Sequence, residues 1–204
     1  GRGLVLTAAK ELSIGMHQKA RPASEDALVS RLRAGHEAAA DELVDLYADR
    51  LLRAASLLLN DRHLAEDAVQ ETLLATVTRI GQFRGESSLY SWMYAILMRW
   101  CRRQQHRRKI DSNLSLLSSE ELTDVAGEDV SVEVAWEKAQ RTLQVSRAVG
   151  GLPQAYREVV VLFYHEEFSI AEISRMTGKP EGTIKSLLHR ARQKLAQTLE
   201  GDEL

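Results

Sequence analysis

Residues Ser169 to Leu195, SIAEISRMTGKPEGTIKSLLHRARQKL, are the stretch that decides the fold. Ser169 and Glu172 have the spacing of a capping box, which predicts that a short helix begins at this point. The sequence from Thr177 to Pro180 predicts a tight turn, and a second helix follows from Gly182. Two helices joined by so short a turn form a helix-turn-helix, whose second helix projects far enough to enter a DNA major groove.

The second helix of this motif has an apolar side and a polar side. Residues near the start of such a helix can approach base edges, whereas later arginines reach phosphates. A charged surface helix used for protein contacts is the alternative interpretation. The side expected to pack inward carries Ile184, Leu187, Leu188, Ala191 and Leu195. We predict base contacts from Thr183, Lys185, Ser186 and His189, and DNA backbone contacts from Arg190 and Arg192.

The composition of the whole chain is that of a helical, globular protein. Its 204 residues are 44% hydrophobic and 27% charged, with only three prolines, and Leu, Ala, Glu and Arg recur at spacings of three and four. No apolar run approaches the roughly 20 residues of a membrane helix, so no membrane insertion is expected. The single cysteine, Cys101, cannot form an intramolecular disulfide and favours a reducing, cytoplasmic setting. A buried thiol is favoured over a redox sensor.

Charge is strongly segregated along the chain, although the net charge is only -2. A basic cluster comprises Arg99, Arg102, Arg103, Arg107, Arg108 and Lys109, whereas residues 110–136 contain acids and no Lys or Arg. Because nucleic-acid binding rests on clustered cations, this distribution matters more than the sum. The acidic run 110–129 predicts a flexible linker between two small helical domains, 24–109 and 130–204. Residues 1–23 are interpreted as an N-terminal extension. Either this extension has no fixed structure, or its first residues were added ahead of a natural start at Met16.

Four helices are predicted in the first domain. The first helix begins at Ser24, its N-cap, and ends at Gly35. The second runs from about Ala38 to Leu59, the third from about His63 to Ile80, and the fourth from about Leu89 to Arg108. On the second helix, the inward face is expected to carry Leu43, Leu46, Tyr47, Leu51, Ala54 and Leu58. On the third, it is expected to carry Val69, Leu73, Val77 and Ile80, and the opposite face Glu66, Asp67, Gln70 and Glu71.

In the second domain, a helix containing Val134, Trp136, Leu143 and Val149 is expected to end at Gly150 and Gly151. Pro153 suits the first turn of the following helix, which is expected to bury Val159, Val160, Leu162 and Phe163.

Aromatic residues lie among cations around the polar loop between Gly81 and Ser88. Tyr90, Trp92, Tyr94 and Trp100 are interleaved with arginines, and rings beside cations can stack on the bases of a single strand. Packing of the same rings in the protein core is equally compatible with their spacing.

Two separate blocks resemble one family. Residues 65–109 resemble the second conserved region, and residues 152–195 the fourth, of extracytoplasmic-function (ECF) sigma factors, minimal members of the sigma-70 family of bacterial RNA polymerase subunits. The resemblance covers roughly Glu42 to Leu199, with the acidic run between the blocks. The N-terminal extension has no counterpart in the family pattern, and the residues of the loop leave the preferred -10 base open.

The resemblance implies promoter DNA and bacterial core RNA polymerase as partners, through the β-prime clamp helices and the β flap, and an anti-sigma factor as regulator. The helix-turn-helix matches the -35 recognition element, and the acidic linker matches a connector that threads toward the polymerase active-site cleft. The implied polymerase-binding residues are Glu66, Asp67, Gln70 and Glu71. The implied -10 DNA residues are Phe83, Arg84, Gly85, Ser87, Ser88, Tyr90, Trp92, Arg99, Arg102 and Arg103.

Other interpretations remain at this point. Without the resemblance, the acidic face of the third helix is more simply a solvated surface. A stand-alone helix-turn-helix regulator, with an N-terminal bundle that senses a ligand or dimerises, is the alternative function. An enzyme is not expected, since the sequence has no nucleophile–base pair, phosphate-binding loop or metal-ligand set, and neither a cofactor nor a metal is predicted.

Overall fold

The computed structural model describes residues 23–112 and 144–201, and every regular element within them is helical. Each of these two stretches lies in its own compact unit. The all-α class with a C-terminal helix-turn-helix is therefore confirmed. The predicted extension before residue 23, the linker from residue 113 onward and the side chains of Val134, Trp136 and Leu143 lie outside the described residues.

Within residues 23–112, the first unit contains four α-helices: α1 (Ala23–Arg33), α2 (Glu37–Leu59), α3 (Arg62–Arg79) and α4 (Leu89–Ser112), with a 3-10 turn at Ile80–Gln82. The stop after α1 falls at Gly35, which has a φ of 75°, and α2 ends at Asn60, which has a φ of 53°. Two predicted boundaries were wrong. Ser24 lies inside α1 and does not precede it, and α4 includes residues 110–112, which had been predicted as linker.

The inward face of α3 differs from the predicted one. Small residues and threonines are fully buried where α3 packs against α2 and α4, namely Ala65, Ala68, Thr72 and Thr76. Leu73 and Val77 are only half-buried, whereas Val69 and Ile80 are buried as predicted. The threonine hydroxyls donate to the carbonyls four residues earlier, at 2.7 and 2.8 Å, so their burial leaves no hydroxyl unsatisfied.

Helix α2 presents most of its predicted apolar face to the core. Leu43, Leu51 and Ala54 are fully buried, whereas Tyr47 is half-buried. The prediction for Leu46 was wrong, because its side chain is 52% exposed. Val44, the other large exposed apolar residue of α2, lies on the surface near it in sequence.

In the described part of the second unit, residues 144–150 are helical (α5). They are followed by α6 (Gln154–Val160), a π-helical turn (Val161–His165), α7 (Ile170–Thr177) and α8 (Glu181–Gly201). As predicted, Val149 is buried and the chain leaves the helix at Gly151. Pro153 stands immediately before α6 as its N-cap. The residues predicted to be buried after it are buried, except Phe163, which is half-buried.

The helix-turn-helix is built by local hydrogen bonds that the sequence predicts. The capping box is present: the amide of Ser169 donates to the Glu172 carboxylate at 2.8 Å, and the amide of Glu172 donates to the Ser169 hydroxyl at 3.3 Å. Gly178 has a φ of 70° and ends α7, with its amide donating to the carbonyl of Ser174 at 2.8 Å. The turn then closes through the Ser174 hydroxyl, which donates to the Lys179 carbonyl at 2.7 Å.

Asp61 links the start of α3 to the end of α4. Its carboxylate accepts the amide of Leu64 at 2.9 Å and forms an ion pair with Arg108. Burial alone would raise the pKa of Asp61, but the Leu64 hydrogen bond and the Arg108 guanidinium outweigh burial and lower this pKa below its ordinary value of 3.8. The ionised carboxylate therefore stabilises the folded state.

We predict that Asp61→Asn lowers the free energy of unfolding by no more than about 1 kcal/mol near pH 7, because Asn still caps α3 and the lost ion pair is partly solvated. The pKa is lower in the folded than in the unfolded chain, so the stabilisation is present above pH 3.8 and is lost as the pH falls through the folded value. Denaturant titrations between pH 3 and 7 measure the difference. A difference that grows on acidification would contradict this assignment, and exposed Asp45→Asn is the control.

Two glycines of the helix-turn-helix allow a matched comparison, since a Cβ at either Gly178 or Gly182 would meet no atom within 4 Å. Gly178→Ala should destabilise the motif by about 1–2 kcal/mol, because the left-handed conformation is unfavourable for Ala. Gly182→Ala lies in α8 and should stabilise it by up to about 1 kcal/mol. Native-state hydrogen exchange of the α7 and α8 amides reports both changes. Equal effects of the same sign would refute the role given to Gly178.

Candidate nucleic-acid interface

Helix α8 separates its buried and exposed residues as the sequence predicts. Ile184, Leu188, Ala191 and Leu195 are buried, whereas Leu187 is half-buried. All six residues predicted to contact DNA from this helix are exposed, namely Thr183, Lys185, Ser186, His189, Arg190 and Arg192. Residues 182–199 contain no Asp or Glu. A surface of this kind is suited to the phosphates and the electronegative base edges of a duplex.

The start of α8 is held to the rest of its unit. Lys179, in the turn, lies 3.5 Å from the buried carboxylate of Glu158 in α6. The amide of Ile184 donates to the carbonyl of Pro180 at 3.1 Å, which begins the helical hydrogen-bond pattern directly after the turn. These contacts restrain the end of α8 that carries Thr183, Lys185 and Ser186.

The arginines of α8 are not equivalent. The Nε of Arg192 donates to the Leu188 carbonyl at 3.2 Å, so this side chain lies back along its own helix. Arg190 is exposed, and its side chain makes no hydrogen bond within the described residues. Arg190 thus has the greater reach from the helix surface.

The loop between α3 and α4 exposes only part of its predicted contact set. Arg84, Glu86 and Ser87 are exposed, whereas Gly85 and Ser88 are half-buried and Gly85 has a φ of 76°. Phe83 is only 4% exposed, and its ring centroid lies 5.6 Å from that of half-buried Trp92. The side chain of Phe83 therefore supports the loop from inside.

Tyr90 is also buried. Its ring stacks on that of Tyr47 with centroids 5.8 Å apart, and the Arg50 guanidinium carbon lies 3.9 Å from the Tyr90 centroid. Burial, aided by the charge of Glu25, raises the pKa of Tyr47 to about 12. Tyr90 therefore packs with Tyr47, and its buried ring is not free to stack on a base in this conformation. Tyr94, whose ring centroid lies 5.9 Å from that of Tyr90, is fully buried as well.

The arginines of α4 lie on its outer side. Arg99 and Arg103 are exposed, and each Nε donates to a carbonyl four residues earlier, at 3.3 and 3.4 Å. Arg102 is half-buried, and Cys101 between these cations is a buried free thiol. The side chains of Arg99 and Arg103 thus run along the helix and can extend to phosphates.

The polar face of α3 is a second candidate site. Asp67, Gln70 and Glu71 are exposed, whereas Glu66 is half-buried and accepts a hydrogen bond from Arg62 at 3.0 Å. Leu74, which sequence reasoning missed, is 60% exposed. Its spacing of three and four from Glu71 and Gln70 places it on the same side of the helix. Helix α3 therefore presents an exposed polar face that also carries one large apolar side chain.

Residues 23–112 and 144–201 contain no cluster of three or more His, Cys, Asp or Glu side chains that could hold a metal ion. Nor do these residues include a helix long and apolar enough to cross a membrane.

Comparison with known families agrees with this division of the chain. Residues 43–110 match the family model described as sigma-70 region 2, and residues 142–195 match sigma-70 region 4. The first match contains α3, the loop and most of α4, and the second contains the helix-turn-helix. Both candidate surfaces of the first unit and the cationic face of α8 therefore lie within matched regions.

Several characterised proteins are similar over most of the chain. SigM of Mycobacterium tuberculosis, an ECF RNA polymerase sigma factor, is 32% identical over 185 residues, which cover 91% of this chain and 87% of SigM. SigW of Bacillus subtilis, also an ECF sigma factor, is 27% identical over 84% of this chain and 94% of SigW.

Solved structures show the same fold. The sigma factor RpoE of Bartonella quintana, solved with the anti-sigma factor NepR, has a TM-score of 0.63 and 24% identity, covering 78% of this chain and 96% of RpoE. CnrH, solved with the cytosolic domain of CnrY, has a TM-score of 0.62 and 20% identity, covering 88% of this chain and 99% of CnrH. The matches to both conserved regions and the identity to SigM along most of both chains establish that this protein belongs to the ECF sigma factors of the sigma-70 family.

Proposed function

We propose that this sigma factor directs bacterial core RNA polymerase to its promoters through two DNA contacts and one protein contact. Its second unit binds the -35 element as a duplex. Its first unit binds the polymerase through α3 and holds one strand of the -10 element at the loop after α3. The observation that carries the proposal is the exposed cationic face of α8, free of acids over residues 182–199, in a chain of this family.

The duplex contact is made by the exposed side of α8. Thr183, Lys185, Ser186 and His189 lie near its start and contact base edges in the major groove, while Arg190 and Arg192 bind phosphates. Arg192, which lies against its own helix, extends to reach its phosphate. The restraint of the turn by Glu158 and Lys179 supports this assignment, because a fixed helix start loses less conformational freedom on binding.

Strand capture is assigned to the exposed part of the loop. Arg84 and Ser87 offer an exposed cation and an exposed hydroxyl to an unstacked base, and the half-buried Gly85 and Ser88 complete the contact beside them. Phe83, Tyr90 and Trp92 act from the interior in this assignment, since Phe83 and Tyr90 are buried and Trp92 packs against Phe83. Arg99, Arg102 and Arg103 hold the adjoining DNA backbone.

The polymerase contact is assigned to Glu66, Asp67, Gln70 and Glu71, which bind the β-prime clamp helices. Leu74 extends this surface with an apolar contact. The second unit meets the β flap. All bond-making belongs to the polymerase, so the chain acts without a catalytic group of its own, in the cytoplasm where the polymerase works.

An anti-sigma factor regulates the protein by covering these surfaces. The fold relative RpoE is solved in complex with the anti-sigma factor NepR. Exposed apolar side chains at Val44, Leu46 and Leu74 offer such a partner hydrophobic contact area in the first unit.

Two double variants test the division of labour. Gln70→Ala with Glu71→Ala should weaken binding to core polymerase by about tenfold and leave the affinity for -35 duplex unchanged, because both residues lie on α3 and their loss removes only the polymerase contact. Lys185→Ala with Arg190→Ala should weaken -35 duplex binding by at least about tenfold and should leave polymerase binding unchanged. The slope of log affinity against log salt concentration should become shallower by about one to two. Fluorescence anisotropy with core polymerase and with duplex DNA measures both affinities.

Two single substitutions serve as controls, one for polymerase binding and one for duplex binding. Asp45→Ala removes an exposed acid from α2 and should leave polymerase affinity unchanged. Lys194→Ala removes a cation about 13 Å along α8 from Lys185 and should weaken duplex binding little and without regard to sequence. If both double variants lose both affinities equally, the two surfaces do not have separate roles. Normal promoter-specific transcription by both would remove the proposal.

A further inference from the structure

We propose that helix α1 positions the strand-capture loop by holding the two peptide groups that flank it, with Glu25 and Arg33 as the positioning residues. This inference rests on the proposed role of residues 84–88 in strand capture and names residues outside that loop which set its geometry. Both residues lie on α1, eight positions apart, which corresponds to about 12 Å along the helix axis.

The first attachment is at the start of the loop. The Arg33 guanidinium donates to the backbone carbonyl of Phe83, the residue immediately before Arg84. The Phe83 ring is buried against Trp92, so side chain and carbonyl of this residue are both held. A hydrogen bond from a charged donor is stronger than a neutral one, and the carbonyl it binds is fixed more firmly than a loop carbonyl bonded to water.

The second attachment is at the end of the loop. The amide of Leu89, immediately after Ser88, donates to the Glu25 carboxylate at 3.0 Å. Glu25 is 4% exposed, and it reaches across 64 positions of sequence to the first residue of α4. The N-terminal end of a helix favours a negative group, because its first amides lack partners within the helix. Ser88 supports the same turn, accepting the amide of Ser91 at 3.1 Å.

The consequence is a five-residue span fixed at both ends. Arg84 to Ser88 includes Gly85 in a left-handed conformation and the exposed residues Glu86 and Ser87. A loop already held in its binding shape loses less conformational entropy when it takes up an unstacked base. Helix α1 therefore contributes to single-strand affinity without supplying any of the proposed DNA contacts.

A matched pair of variants on α1 tests this inference. Arg33→Met removes the bond to the loop, whereas Arg31→Met removes a cation that pairs with Glu42 instead. Both side chains reach the surface, so neither change empties the core. In the whole 204-residue chain, hydrogen exchange across residues 84–89 should become about tenfold faster in Arg33→Met and stay unchanged in Arg31→Met, as expected for loss of a charged hydrogen bond.

DNA binding supplies the second readout. Holoenzyme is titrated with a forked promoter fragment whose -10 stretch is single-stranded, and with a fully duplex fragment carrying only the -35 element. Arg33→Met should bind the forked DNA about tenfold more weakly and the -35 duplex as the unaltered protein does, because only the loop is released. A general structural defect would instead raise hydrogen exchange throughout the first unit.

Substitutions at Glu25 separate its acceptor oxygen from its charge. Glu25→Gln keeps an oxygen that can accept the Leu89 amide, and it should retain most of the loop protection. Glu25→Ala removes the acceptor and should lose that protection. Equal loop exchange in the two variants would overturn the role given to Glu25.

The remaining outcomes distinguish failure of this inference from failure of the proposed function on which it rests. If Arg84→Ala with Ser87→Ala weakens binding to the forked DNA but Arg33→Met changes neither exchange nor binding, strand capture stands and the positioning role is wrong. If the Arg84 and Ser87 variant binds forked DNA normally, the loop does not capture the strand and the proposed function fails at this point. Faster loop exchange in Arg33→Met with unchanged forked-DNA affinity would likewise overturn positioning for capture.

Discussion

The left-handed turn at Gly178 is the constraint on which the DNA-binding unit depends. It ends α7 after eight residues and sets the direction in which the chain enters α8. Because an α-helix repeats every 3.6 residues, burial of Ile184, Leu188 and Ala191 leaves Lys185, Ser186 and His189 on the outside. One backbone conformation and one apolar stripe together determine which side chains can meet DNA. The Lys179–Glu158 contact adds a tie to α6 at the same turn.

The first unit uses a different physical principle. Its candidate single-strand surface is a short exposed loop. The buried Phe83 ring, packed against Trp92, supports this loop from beneath, and charged hydrogen bonds hold its two ends. A duplex presents a regular groove that a rigid helix can enter, whereas an unstacked base has to be held individually. A preorganised loop meets the second requirement. Family membership connects the two units to one task, which neither surface would indicate alone.

Local features of the fold could be predicted from the sequence, and long-range features could not. The capping box at Ser169, the turn at Gly178 and the stop at Asn60 depend on residues within a few positions of one another. The inward face of α3 was mispredicted because a preference for large apolar residues ranks Leu73 above Thr72 and Thr76. Close packing against neighbouring helices selects the small side chains, whose hydroxyls bond to their own helix.

The candidate site shows the same division between local and long-range features. Exposure along α8 was predictable from its spacing, whereas burial of Phe83 and Tyr90 depends on partners elsewhere in the chain. The contact from Glu25 to Leu89 spans 64 positions.

The most direct test of the account is to map the starts of transcripts made by bacterial core polymerase with this chain on a library of DNA fragments from its native host. If the two units act together as proposed, the active fragments share two sequence blocks at a constant separation upstream of the start. Substitution of Lys185 and Arg190 then abolishes dependence on the upstream block alone. Initiation that needs only one block, or that proceeds equally well without the chain, would contradict the account.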